Sequence, residues 1–492
     1  MSSTGRCRRR SRHTLAGAWR AAALLMVIPA LGATASMAAA SPPPAAQVNI
    51  VRQGTAPGKV PANTQYFKTI QAAVNASTSG DWVLVEPGVY DEAVVVSSAH
   101  SGIWIRGMNR NTVIVDGQHK AGNGIEVAEA SDVWIENLTV RNFDESETCP
   151  DESCGNEIWW NGGANSGKIG AHGWYGSYLT AYNTDLLGGY GIFTNNEVEG
   201  SWDHIYASGF NDSGMYLGAC QECKARITAA VMEDNALGYS GSNSGGRLAI
   251  EDSLFRNNSD GIVPNSEKPG DGPPPQDGEC NRPETPSTET PTIKSTNIPR
   301  CTVIRDNVIT ENNSLTVPVN RSTEVGAWGA GIILPGDYAD LVSQNIIANN
   351  ANVGLFGLER EVDGTIFQLS GNKISENVFL HNGYLGGSFG GDLTLVSGYS
   401  ELVGAGESQS KNNCVSNNLF TDATFPAKIQ GTWGCQHSTT PNPGGGLAAY
   451  TRIGELQYEA ATKRTPIDQP APPPQPTMPN PCKEVPTNPL CP

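Results

Sequence analysis

Six glycine-led segments recur at a near-constant interval, and that interval restricts the fold more than any other feature of the chain. Gly191-Ile192-Phe193, Gly214-Met215-Tyr216, Gly238-Tyr239-Ser240 and Gly261-Ile262-Val263 begin 23, 24 and 23 residues apart, and Gly331-Ile332-Ile333 and Gly354-Leu355-Phe356 repeat the 23-residue step. A βαβ unit needs about 30 residues or more, so the period is too short for one. It suits a single coil of a solenoid built from short strands and tight turns. Asn211, Asn235 and Asn258 each stand three residues before a repeat glycine. This predicts amides stacked at one corner of successive coils and hydrogen-bonded as a ladder.

Strand alternation then assigns faces. Ile192, Met215, Tyr239, Ile262, Ile332 and Leu355 follow the glycines and are expected to point inward, which turns Phe193, Tyr216, Ser240, Val263, Ile333 and Phe356 outward. With coils stacked about 4.8 Å apart, Phe193 and Tyr216 are predicted to lie ring over ring as a sugar platform. The segment 143–178 interrupts the period and carries Trp159, Trp160, Trp174, Tyr175 and Tyr178. Long solenoid loops tend to gather on one side, so this segment is the predicted ligand wall. Two more interruptions, 264–300 and 384–411, are rich in Pro/Thr/Gly and Gly/Ser.

Residues 1–40 read as an export signal: Arg6, Arg8, Arg9, Arg10 and Arg12 precede an Ala/Leu-rich stretch and the small residues Ala38-Ala39-Ala40. The apolar run falls short of the roughly 20 residues that span a bilayer. Without this segment 26 Lys and Arg face 49 Asp and Glu, a net charge of −23. Such a charge repels polyanions, so nucleic acid is excluded as a partner, and a polyuronate requires a bridging cation such as calcium. Ten cysteines remain in close pairs, Cys149/Cys154, Cys220/Cys223, Cys280/Cys301, Cys414/Cys435 and Cys482/Cys491. In an exported chain they are expected to form local disulfides. Residues 41–64 read as a Pro/Ala/Gly-rich linker, 65–440 as the solenoid domain and 441–492 as a Pro-rich, polyproline-like tail.

Between Tyr66 and Ser77 the apolar residues Phe67, Ile70, Ala73 and Val74 fall at helical spacing, followed by Gly80-Asp81 and the strand Trp82-Val83-Leu84-Val85. Together with Glu86-Pro87-Gly88-Val89-Tyr90-Asp91-Glu92 this region resembles the amino-terminal helical cap and first coil of the pectin lyase-like proteins. The resemblance implies an all-β, single-stranded, right-handed parallel β-helix over about residues 65–435, exported from the cell. It implies little about activity, because one fold hosts many chemistries.

The family's catalytic patterns are present only in fragments. Asn183-Thr184-Asp185 resembles the first polygalacturonase motif, but Asp203 and Asp212 stand singly and neither the Gly-His-Gly nor the Arg-Ile-Lys element follows. Trp202-Asp203-His204 resembles a pectate lyase segment shortened by one residue, without that family's arginine element. The Gly88-Val89-Tyr90-Asp91-Glu92 pattern is shared with pectin methylesterases, whose active-site aspartate and arginine elements have no match in this chain. The candidate catalytic residues are therefore Asp185, Asp203, His204 and Asp212; Phe193, Tyr216, Trp159, Trp160 and Trp174 are the candidate substrate-binding residues. The expected function is binding or cleavage of an extracellular polysaccharide along the helix flank. The competing expectation is a non-catalytic structural rod.

Overall fold

The computed structural model describes residues 46–146, 149, 153–163, 168–267, 272–278, 280, 301–320, 323, 328–385, 390–406, 408–435 and 446–492. The expected signal, residues 1–40, lies outside them, as does the segment 281–300. Ala45–Pro492 forms one compact unit.

Three parallel sheets of 13, 10 and 11 strands run its length, and each coil gives one strand to each sheet in turn. The chain is a parallel β-helix. The glycine-led segments are strands of the 11-stranded sheet, in the register expected: Ile192 pairs with Met215, Tyr239 with Ile262, and Ile332 with Leu355. Their side chains are completely buried in the lumen with those of Ile227, Ile250, Ile304 and Ile347. Parallel strands buried in this way hydrogen-bond their whole backbone to the coils on either side.

Three indoles, Trp160, Trp174 and Trp202, fill one level of the lumen with none of their surface exposed. Glycine makes the room. A Cβ on Gly200 would lie 2.0 Å from the Trp174 ring, and one on Gly176 would lie 2.8 Å from Trp202.

The corners carry amide ladders. Asn235 donates to Asn258 (3.1 Å), Asn258 to Asn312 (2.9 Å), Asn312 to Asn350 (3.2 Å), Asn350 to Asn382 (2.9 Å) and Asn382 to Asp392 (3.0 Å). Asn211 does not join. The backbone N–H of Phe210 bonds to Asn235, so Phe210 holds the ladder position, one residue farther from its repeat glycine, Gly214, than Asn235 is from Gly238. A second ladder, Asn307-Asn345-Asn377-Asn418, runs along another corner.

Several boundaries differ from the sequence reading. The stretch read as a linker contains the buried strand Val48–Val51, which lies between Thr64–Phe67 and Trp82–Val85. The helix is shorter than its periodicity suggests, Ile70–Ala76, because Thr69 caps it by accepting from Ala72 N at 3.2 Å. Glu92 accepts from the N–H groups of Ile70 and Gln71 at 2.7 and 3.0 Å. Among the described residues, the segment read as a tail starts with an 18-residue helix, Gly446–Lys463, a stretch free of proline until Pro466.

The rest of that tail returns to the first coils. Asn111 exchanges hydrogen bonds with Gln475, Asn137 Oδ1 accepts from Thr477 and Met478, and Arg106 donates to the carbonyls of Pro481 and Lys483. Cys482 and Cys491 are joined, and both pack with Val48, Ile50, Trp82 and Leu84.

The other four expected disulfides are also present: Cys149 is joined to Cys154, Cys220 to Cys223, Cys280 to Cys301 and Cys414 to Cys435. Cys220 and Cys223 pack into the lumen with Ala225 and Leu248, while Cys280 and Cys301 cluster with Ala339. The Cys280–Cys301 bond sits at the start of the coil in which Thr302–Arg305 pairs with Leu248–Glu251. Cys414 starts a strand of the 13-stranded sheet, and Cys435 closes over it from beyond the short helix Ile429–Thr432. Among the described residues no helix is long and apolar enough to cross a membrane.

Candidate functional site

The outer face of the 13-stranded sheet presents two columns of side chains. Strand register places Trp82, Trp104, Trp134, Tyr175, Ser201 and Arg226 in one column, coil above coil. Leu84, Arg106, Glu136, Ser177, Asp203 and Thr228 form the other. The four aromatic rings stack with centroids 4.9, 4.3 and 4.7 Å apart and planes within 14° of parallel. The stack follows from pleat and register, because identical faces of successive coils fall one strand spacing apart.

At one end of this stack the segment 475–491 covers Trp82, which is only 5% exposed. At the other end the ladder stops, because Ser201 stands where the next ring would be. Two hollows meet at Tyr175. One, of about 500 Å³, is lined by Trp134, Glu136, Tyr178 and Asp203 and walled by Met478, Pro479 and Asn480. The other, of about 690 Å³, is lined by Tyr175, Glu199, Ser201, Asp203, Arg226 and Asp252. The disulfides stand apart from both: Cys154, Cys223, Cys301 and Cys435, like their partners, line neither hollow and staple the coils instead.

Asp203 belongs to both hollows. Its Oδ1 accepts from Ser177 Oγ at 3.1 Å and lies 2.7 Å from His204 Nδ1, while the His204 ring stacks on Tyr178 at 4.4 Å. Burial pushes the Glu136 carboxyl up; Arg106, at 2.7 Å, pulls it back, and Asp203 and Glu484 raise it further. At the edge of the second hollow Arg226 reaches Glu251, which Arg305 also meets at 2.7 Å.

The candidates named from sequence are distributed over several corners. Asp203 lines the groove, and His204 stands beside it against Tyr178. Asp185 lies after a strand of the 10-stranded sheet, its Oδ2 2.9 Å from His119 Nδ1. Asp212 is buried near the start of a strand of the 11-stranded sheet, where it accepts from Ser213 Oγ and Asn320 Nδ2. Three strands per coil separate turns that are close in sequence, so these acids do not form one constellation.

The aromatic expectations also divide. Trp160 and Trp174 are core residues in the lumen and cannot touch a ligand. Trp159, Phe193 and Tyr216 do face out of the 11-stranded sheet, but with Tyr190 they form a buried cluster in which Phe193 is 1% exposed. Trp159 stacks on Phe193 at 5.1 Å, whereas Phe193 meets Tyr216 edge to face. The sequence reading missed Trp104, Trp134 and Glu136. Their signal was the alternation in Trp104-Ile105-Arg106 and Trp134-Ile135-Glu136, one coil apart, which a search confined to glycine-led strands passes over.

Neither a protein-family model nor a curated relative matches the sequence. Among solved structures, the A-module of a mannuronan C-5 epimerase from Azotobacter vinelandii is similar at a TM-score of 0.41 and 12% identity, over 77% of this chain and 93% of that one. A mannuronic acid-specific polysaccharide lyase of family 6 from human gut microbiota gives 0.39 and 13%, over 71% and 80%. The tailspike protein of Escherichia coli bacteriophage HK620, in complex with a pentasaccharide, gives 0.37 and 10%, over 70% and 54%.

Proposed function

We propose that the chain is an exported protein that lays an extended polysaccharide along the outer face of its 13-stranded sheet, with a sugar ring against Tyr175. The observation that carries this reading is the aromatic column that ends at Ser201. One face of Tyr175 packs on Trp134, and its other side borders a hollow large enough for a saccharide unit. A tyrosine combines an apolar face with a polar tip, which matches the alternation of C–H faces and hydroxyls on a pyranose. Glu199, Asp203 and Asp252 outnumber Arg226 around this hollow. Carboxylates accept hydroxyl protons and repel uronates, so the preferred polymer is neutral. Five local disulfides and the basic, apolar start of the sequence support export.

Cleavage is a second reading, favoured by Glu136. A carboxyl that burial pushes up, beside an Asp203 tied to His204, resembles the pairing of acid and base that glycoside hydrolysis uses.

The test is retention of the purified chain on neutral and acidic glycans, with reducing ends measured in the same mixtures. Tyr175→Ala is expected to weaken retention on a neutral glycan at least tenfold, about 1.4 kcal/mol. Unchanged retention by Tyr175→Ala overturns the groove reading. New reducing ends that disappear in Glu136→Gln decide for cleavage, and retention without them decides for binding alone.

A further inference from the structure

We propose that His119, Asp144 and Asp185 form a binding site for one divalent transition-metal ion, of the zinc or manganese class, at a corner of the β-helix away from the aromatic groove. Three successive coils supply the residues. His119 lies in the strand Val113–Ala121, Asp144 ends the strand Thr139–Asp144, and Asp185 lies in the turn after Thr180–Tyr182. One ligand atom from each lies within 4.8 Å of the others. His119 Nδ1 is 2.9 Å from Asp185 Oδ2 and 3.4 Å from Asp144 Oδ1. Ligands bound at about 2.0–2.2 Å around one ion are separated by similar edges.

The hydrogen bonds around the imidazole decide what faces the carboxylates. Thr184 Oγ1 donates to Asn142 Oδ1 at 3.1 Å, so its lone pairs accept from His119 Nε2, also at 3.1 Å. When the ring is neutral with Nε2 carrying the proton, its Nδ1 lone pair faces two carboxylate oxygens. Three electron-rich atoms converging in this way favour a cation among them. Metal-binding imidazoles are likewise oriented by a hydrogen bond from the second ring nitrogen.

The carboxylates are placed just as firmly. The Asp144 side chain is 5% exposed and accepts from Asn183 Nδ2 at 3.1 Å. Asp185 Oδ1 accepts from Leu187 N at 2.8 Å, which leaves Oδ2 for the cluster. A further carboxyl stands behind them. Glu157 is completely buried, its Oε1 accepts from Phe143 N, and its Oε2 has no partner among the described residues. The guanidinium of Arg141 is engaged by Asp116 and Tyr182 instead. A nitrogen with two carboxylates suits zinc or manganese, whereas calcium takes six to eight oxygens. The His119 and Asp185 side chains are 38% and 29% exposed, so an ion enters from solvent and retains positions for water or a ligand oxygen. The assignment is independent of the glycan reading.

The experiment is calorimetric titration of the tag-free, EDTA-stripped protein with zinc, manganese and calcium chlorides, together with the visible absorption of its cobalt(II) form. One equivalent of zinc or manganese is expected, held at least tenfold more tightly than calcium. Asp185→Asn and His119→Asn should each weaken it at least tenfold while circular dichroism stays unchanged. Asparagine suits position 119 because that residue has φ 56°, a left-handed conformation that asparagine tolerates. Absence of saturable zinc or manganese binding overturns the assignment. So does binding that survives both substitutions, or calcium bound as tightly as the transition ions.

Discussion

Asp260 is completely buried and accepts from Ala330 N at 2.9 Å, and burial pushes its carboxyl up to about 7. Asp234 is raised to about 6 by burial and by Glu233. An unfolded aspartate titrates near 3.9, so between about 4 and 7 the folded chain holds protons that the unfolded chain has lost. Their stabilising contribution is complete below pH 4 and disappears as pH rises through 6 and 7. The thermal midpoint is therefore expected to fall from pH 5 to pH 8. Asp260→Asn should flatten much of this fall and raise the midpoint at pH 8, as followed by circular dichroism melts. Single residues were also where the sequence was hardest to read. In Glu157-Ile158-Trp159-Trp160 a glutamate stands where other coils begin with glycine, so the repeat did not reveal that Trp160 enters the lumen and Trp159 leaves it. Asp185 and Asp203 looked adjacent only because a linear chain does not display its corners.

Among the elements, the amide ladders couple coils most directly. Asn345 Oδ1 accepts from both the backbone and the side chain of Asn307, and its own amide reaches Ile304 O and Asn377. Asn345→Ala leaves several buried groups unpaired and is expected to cost about 2–4 kcal/mol, measured by denaturant unfolding. Asn211→Ala, outside the ladder, should cost about 1 kcal/mol. The period and the apolar alternation made the strands legible, since both repeat with the geometry of the coil. The cysteine pairing was legible for a similar reason: each partner lies within 21 residues of the other, about one coil or less. The displaced ladder position did not show, because one inserted residue shifts Phe210 into the place of an asparagine without disturbing the glycine that follows. The helix Gly446–Lys463 was hidden by the prolines beyond it, which coloured the composition of the whole segment.

In the molecule as a whole, the aromatic column and the returning segment form one structure. Deleting residues 470–492 removes the cover from Trp82 and the hydrogen bonds to Arg106, Arg110, Asn111 and Asn137. The truncated protein is expected to show red-shifted tryptophan emission and a separate, earlier melting step for its first coils, read by fluorescence during heating. A single unchanged transition would show that the segment lies on the helix without supporting it. Its return was invisible to composition, which reads proline-rich stretches as extended and detached. The hydrogen bonds joining it to the first coils span 340 to 424 residues. A chain synthesised amino end first must then wait: its earliest coils stand incomplete, with Trp82 bare to water, until the distant segment 475–491 has emerged to cover it.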